Sequence, residues 1–131
     1  VVNTASVAGL VGTPGMSAYT ASKHAVNGLT KVACGEVGPL GIRVNAVCPG
    51  PIATRMVQEI ARQVSPNNPD AVEAGYSAAI PLRRFGQAEE VANLVLFLLS
   101  DLASNITGGQ YTVDGGRTAV PAAGMSQSSL R

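Results

Sequence analysis

Ile42-Arg43-Val44-Asn45-Ala46-Val47-Cys48-Pro49-Gly50-Pro51 is the stretch on which the fold turns. Ile42 to Cys48 is nearly apolar throughout. A strand with one face in water alternates apolar and polar residues, whereas a continuous apolar run suits a strand buried on both faces of a parallel sheet. Pro49-Gly50-Pro51 ends it, because proline cannot donate to the ladder. Parallel neighbours must return through crossovers, usually helical.

The flanking sequence supplies those crossovers. Val1 to Ala5 reads as a short β-branched strand, followed by a small-residue loop from Ser6 to Ser17. A helix is predicted from about Ala18 to Val37, with Ala21, Ala25, Leu29, Val32 and Ala33 recurring on one side and Ser17 or Thr20 as its cap. Gly38-Pro39 stops it. Beyond Pro51, helices are predicted over Ile52 to Val64, Ala71 to Ala79 and Ala88 to Leu99, with Ser65 to Asp70 a turn-rich break. Gly108-Gly109 turns into a last strand, Gln110 to Val113, which Asp114-Gly115-Gly116 closes. Strands alternating with helices imply βαβ units and an α/β fold with a parallel, doubly wound sheet. Only three strands are present, where an open sheet of this kind has about six. Val1-Val2-Asn3 also opens inside a strand, with no Met. Both features are expected of a piece of a longer protein.

Composition narrows the function classes. The chain has 131 residues, 46% hydrophobic and 13% charged, with a net charge of +1. That is the size of one ordinary domain and excludes a charged, disordered polymer. A broad nucleic-acid footprint is not expected at this charge. The longest apolar run, Val91 to Leu99, contains Asn93 and falls short of the roughly 18 residues of a membrane helix. Cys34 and Cys48 make no disulfide framework, and no Cys or His cluster suggests a metal site. Two free thiols fit a reducing, cytoplasmic compartment.

Tyr19 and Lys23 are four apart at the start of a helix, so both side chains share one face. A nearby ammonium favours the phenolate, which equips a tyrosine for acid/base work near neutral pH. Taken alone, the pair reads equally as packing plus a solvated lysine. Ser6 follows the first strand directly, at the edge where open α/β sheets bind ligands. Its hydroxyl can bond a carbonyl or an alcohol, or simply its own backbone. At the same edge, Gly50 allows close approach of backbone to a ligand. The Ile52 amide and Thr54 hydroxyl can bind an amide or phosphate group, with Thr54 as a helix cap the alternative.

Ser6 followed by Tyr19-Thr20-Ala21-Ser22-Lys23 resembles the catalytic segment of the short-chain dehydrogenase/reductase family. Arg43 to Thr54 resembles that family's second signature, and Thr107-Gly108-Gly109 with Val113-Asp114-Gly115-Gly116 resembles its last strand. The likeness runs from Val1 to about Thr118. It implies a Rossmann-like fold, of which residues 1–120 are the C-terminal, catalytic half. Residues 55–84 would be the substrate lid and 121–131 a mobile tail. Tyr19 would be the general acid/base, Lys23 its partner and a ligand of the nicotinamide ribose, and Ser6 the group that polarises the substrate carbonyl. Pro49, Gly50, Ile52 and Thr54 would hold the nicotinamide carboxamide. Asn45 matches a structural asparagine of the family. Asp114 is read as a turn former and His24 as a surface or interface residue.

The implied activity is hydride transfer between NAD or NADP, NAD being favoured, and a small secondary alcohol or ketone. The family's Gly-rich pyrophosphate turn is absent from the sequence, as are its Asn-Asn-Ala-Gly segment, the last catalytic asparagine and the residue that selects NAD or NADP. The lid's Met56, Val57, Ile60, Val72, Tyr76 and Ile80 suggest an uncharged substrate. Arg55, Arg62, Arg83 and Arg84 leave a basic rim, and with it a 3-oxoacyl-thioester reductase, as an alternative. The rival from another class is a non-catalytic oligomerisation or scaffold module. A homo-oligomer, a tetramer by family resemblance, is expected, with no metal, membrane or nucleic-acid partner.

Overall fold

The computed structural model describes residues 1–120. The expected tail, 121–131, lies outside the described residues. Three strands, β1 (Val2–Thr4), β2 (Asn45–Pro49) and β3 (Gln110–Val113), form one parallel sheet in the order β1-β2-β3. Four helices connect them: α1 (Ser17–Val37) between β1 and β2, then α2 (Arg55–Val64), α3 (Pro69–Ala78) and α4 (Ala88–Leu99) before β3. This is the α/β architecture with flanking helices that the alternation implies.

β2 is the central strand and the most buried one. Asn45 is 1% exposed, and Ala46, Val47 and Cys48 are fully buried. Thr4 lies opposite Val47 on one side, and Pro49 lies opposite Val113 on the other. The ladder begins at Asn45, not at Ile42. The Val44 N–H instead meets the Thr107 hydroxyl at 3.0 Å, and Ile42 is exposed. α2 likewise begins three residues later than expected, because Ile52 forms a bridge to Gly86.

The two faces of β2 bury different things. Ala46 and Cys48 cluster with Ala5, and Val26 of α1 packs against them. Alternation turns Asn45 and Val47 to the opposite side. α4 also packs against β1 and β2, with Leu98 buried. Arg43 joins this helix to the sheet. Its guanidinium donates to the carbonyls of Leu98 at 2.7 Å, Ser100 at 3.1 Å and Ile106 at 3.3 Å. A helix C-terminus leaves such carbonyls without partners, so the arginine acts as a long-range cap. Asn45 completes the join. Its amide donates to Ile106 O at 2.8 Å and its carbonyl accepts from Gly109 N at 3.1 Å.

α1 presents its unexpected face to the sheet. Leu29 is 65% and Val32 56% exposed, and Ala21 and Ala25 are exposed too. The buried positions are Asn27 and Thr30. Polarity does not expel them, because each finds a partner in the fold. Thr30 Oγ1 accepts from Asn3 and donates to Val26 O, while Asn27 bonds the loop after β1. The helix start also differs: Met16 is the capping position, and neither Ser17 nor Thr20 caps it.

Asn45→Ala leaves the Ile106 carbonyl and Gly109 N–H facing a cavity. Unfolding of the full-length protein by urea is expected to show a loss of about 2–4 kcal/mol, with an unchanged slope. A loss below about 0.5 kcal/mol would contradict the bridging role.

Candidate active site

All three strands run the same way, so the residues that follow them gather at one edge. Ser6 follows β1 and is 8% exposed. Its Oγ accepts from Ala8 N at 3.1 Å and so caps the short 3-10 turn Val7–Gly9. That bond uses a lone pair and leaves the Ser6 O–H to donate. Both sequence readings of Ser6, a local cap and a ligand contact, are therefore compatible in one side chain.

Lys23 reaches the same strand end. Its ammonium donates to Thr4 O, the last residue of β1, at 3.1 Å. The ammonium nitrogen also lies 5.6 Å from the centre of the Tyr19 ring. Tyr19, Lys23 and Ser6 thus surround the C-terminal end of β1. His24 stands apart and exposed, with Nδ1 against Thr20 O.

Asn27, a residue sequence reasoning passed over, fixes the Ser6 loop to α1. It is 5% exposed, and its amide donates to Gly9 O at 2.9 Å. Gly9 sits so close that an added Cβ would come within 2.7 Å of the Lys23 carbonyl oxygen. The Cys48 thiol donates to Asn27 Oδ1 at 3.7 Å from below. Burial pushes the Cys48 pKa up, only partly offset by that bond and one to Ser6 backbone, so the thiol stays protonated. The only available sequence signal was spacing: Asn27 lies four residues beyond Lys23, on the same side of α1.

After β2, Gly50 N donates to Val113 O at 2.9 Å, and a Cβ on Gly50 would come within 2.8 Å of Asp114 Cβ. Glycine is required here by a neighbouring turn of the protein itself. Asp114 shapes that turn, accepting from Gly116 N, Thr118 N and the Thr118 hydroxyl. Next, Gly86 N donates to Pro51 O and Ala53 N to Gly86 O. These bonds flank Ile52, whose own N–H and C=O have no hydrogen-bond partner among the described residues. Thr54 occupies the capping position of α2, but its side chain makes no cap bond. A free amide, a free carbonyl and a free hydroxyl in one half-buried turn are the complement of a carboxamide.

Arg84 holds the Gly86 strap in place by a two-pronged pair with Glu90, at 2.7 and 2.9 Å. Glu90 also accepts from Gln87 N at 2.7 Å, the capping box of α4. The guanidinium and this N–H hold the Glu90 carboxyl down at about 2. Arg55 pairs with Glu59 at 3.3 Å. Two of the four arginines that could form a basic rim therefore meet carboxylates of their own chain. α2 and α3 pack on each other, with Asn68 Oδ1 capping α3. Ile80, expected among the lid's apolar residues, is buried against Gly115 instead. Among the described residues, no group of three His, Cys, Asp or Glu can hold a metal ion, and no helix is long and apolar enough to cross a membrane.

The parallel α/β sheet thus has a lysine, a tyrosine beside it and a serine at the end of its first strand. The comparisons with known proteins are specific. The family profile described as "Enoyl-(Acyl carrier protein) reductase" matches residues 1–118. The chain belongs to the short-chain dehydrogenase/reductase family. It is 48% identical over 119 residues to cyclohexanol dehydrogenase of Acinetobacter sp. (strain SE19), covering 91% of this chain and 43% of that protein. It is 44% identical to levodione reductase of Leifsonia aquatica. The levodione reductase crystal structure superposes with a TM-score of 0.90, over 92% of this chain and 47% of that one. A 4-hydroxyisoleucine dehydrogenase complexed with NADH superposes at 0.73, with 36% identity, over 92% of this chain and 46% of that one. The chain thus spans about half the length of the relatives it matches.

The Arg84–Glu90 pair has a pH signature. The folded Glu90 pKa of about 2 lies below the ordinary value of 4.5, so its contribution is complete above that value and is lost as pH falls towards 2. Glu90→Gln should lower the thermal midpoint of the full-length protein at pH 7, with the two proteins converging as pH falls from 4.5 to 2. A gap that stays constant across this window would count against the pair.

Proposed function

We propose that the protein carrying this chain is a nicotinamide-dependent oxidoreductase that interconverts a small secondary alcohol and its ketone. The observation that carries this reading is the Lys23 ammonium on Thr4 O, beside the Tyr19 ring and two residues from Ser6. When bound, the nicotinamide supplies or accepts the hydride. The chain's own residues do the rest. Tyr19 passes a proton to or from the substrate oxygen. Ser6 donates its free O–H to that oxygen and polarises it. Lys23 commits one of its three N–H groups to Thr4 O, and the others serve a ribose hydroxyl. The turn Pro49-Gly50, the Ile52 backbone and the Thr54 hydroxyl take the carboxamide.

NAD is the favoured cofactor, supported by the NADH-bound neighbour, and NADP the alternative. A small alcohol or ketone is supported by the names of the relatives, cyclohexanol dehydrogenase and levodione reductase. The internal pairing of Arg55 and Arg84 favours this substrate over an acyl-carrier thioester, which would call for an open basic rim. The lid is assigned to residues 55–84, and a homo-tetramer to the assembled enzyme by likeness to the family.

In the full-length protein, Tyr19→Phe should lower kcat roughly 10²- to 10⁴-fold with NADH affinity, read by fluorescence titration, largely intact. Ser6→Ala should lower kcat by about 10²-fold. Turnover by Tyr19→Phe at the parent rate would refute the assignment.

A further inference from the structure

A cavity of about 610 Å³ opens beside the Ser6 loop. Val7, which follows Ser6, forms one wall, and Pro51, from the turn after β2, forms another. Tyr76 of α3 and the segment Arg117 to Val120, which follows β3, complete it. The cavity is thus bordered by the loop that follows Ser6 and by the turn after β2, and Tyr76, from the segment assigned as the lid, lines it. Its walls are mostly apolar, and Arg117 is the one charged residue among the described residues that line it.

Arg117 has no carboxylate partner among the described residues, whose ion pairs are Arg55–Glu59 and Arg84–Glu90. Asp114, three positions away, is the acid nearest in sequence, and it is already engaged. Its two oxygens accept from Gly116 N, Thr118 N and the Thr118 hydroxyl, at 2.6 to 2.9 Å. The same turn fixes the Arg117 backbone, whose N–H donates to Asp114 O at 3.1 Å. The second cavity, of about 470 Å³, makes the contrast: its arginine, Arg84, is neutralised by Glu90, which lines the same space. A half-buried arginine on an anchored turn, lining an apolar pocket and in no ion pair among the described residues, is suited to an anion brought by the ligand.

We infer that Arg117 is a specificity-determining residue that binds a carboxylate on the substrate. The substrate class is then a small secondary alcohol, or its ketone, with an apolar carbon skeleton and a carboxylate at one end. This rests on the proposed dehydrogenase reading and refines the uncharged substrate that the lid composition suggests: the lid contacts the carbon skeleton, and the charge is read from the segment after β3.

The test uses the full-length protein with NAD or NADP and two matched probe pairs: 3-hydroxybutyrate with 2-butanol, and 4-hydroxypentanoate with 2-pentanol. The parent should favour the acid of each pair in kcat/KM. Arg117→Gln should reduce the acid-to-neutral ratio roughly 10- to 100-fold, mainly through KM of the acid, as loss of a charged hydrogen bond predicts. Arg117→Lys, which keeps the charge, should retain part of the preference. Lys31→Gln, an exposed charge on α1, should leave the ratio as in the parent. Turnover of both alcohols with a ratio that Arg117→Gln does not change overturns the Arg117 assignment and leaves the dehydrogenase reading standing. No nicotinamide-dependent turnover of any of the four probes overturns both.

Discussion

A buried strand has no water to satisfy its backbone, and β2 is such a strand from Asn45 to Cys48. Each of its amides and carbonyls must be paired by a neighbour or by a side chain. β1 and β3 do most of this, one on each side, in parallel. At its two ends, Thr107 takes the Val44 N–H and Val113, the last residue of β3, receives the Gly50 N–H. Parallel pairing then decides where chemistry can sit. All three strands deliver their following residues to one edge, so Ser6, the Pro49-to-Thr54 turn and Asp114 arrive side by side without being near in sequence.

Helix α1 supplies the other half of the arrangement. It meets the sheet with polar groups, and each performs a join. Lys23 holds the end of β1, Asn27 holds the loop that carries Ser6, and Thr30 holds Asn3. These bonds set the distance between the helix bearing Tyr19 and the loop bearing Ser6. Gly9 makes the spacing possible, since any side chain there would collide with the Lys23 backbone.

Much of this was legible in the sequence. The nearly apolar run around β2 pointed to a parallel sheet, and the bounds of α4 and β3 coincide with those read from caps, periodicity and turn residues. Strand direction placed Ser6 at the end of the first strand and spacing placed Tyr19 and Lys23 on one helix face; that the three belong to one site came from the family resemblance. The face that α1 buries was not legible. Periodicity weighs how apolar a side chain is, and cannot see that Asn27 and Thr30 have partners waiting in β1 and its loop. Gly50 was rightly marked as a point of close approach, but the approaching group is Asp114, a contact across about sixty residues that no local rule reveals. Arg117 carried no motif at all; only the engagement of Asp114 elsewhere gives it significance.

The partners of Arg43 and Asn45 are distant in the chain: Leu98 is 55 residues beyond Arg43, and Gly109 is 64 beyond Asn45. During synthesis these two residues emerge long before the carbonyls and amides that satisfy them. β2 can pair with β1 early, yet it stays half-unsatisfied until the segment from α4 to β3 arrives. The edge that gathers Ser6 and the Pro49-to-Thr54 turn is therefore completed late, and the interval leaves a bare apolar strand open to wrong neighbours.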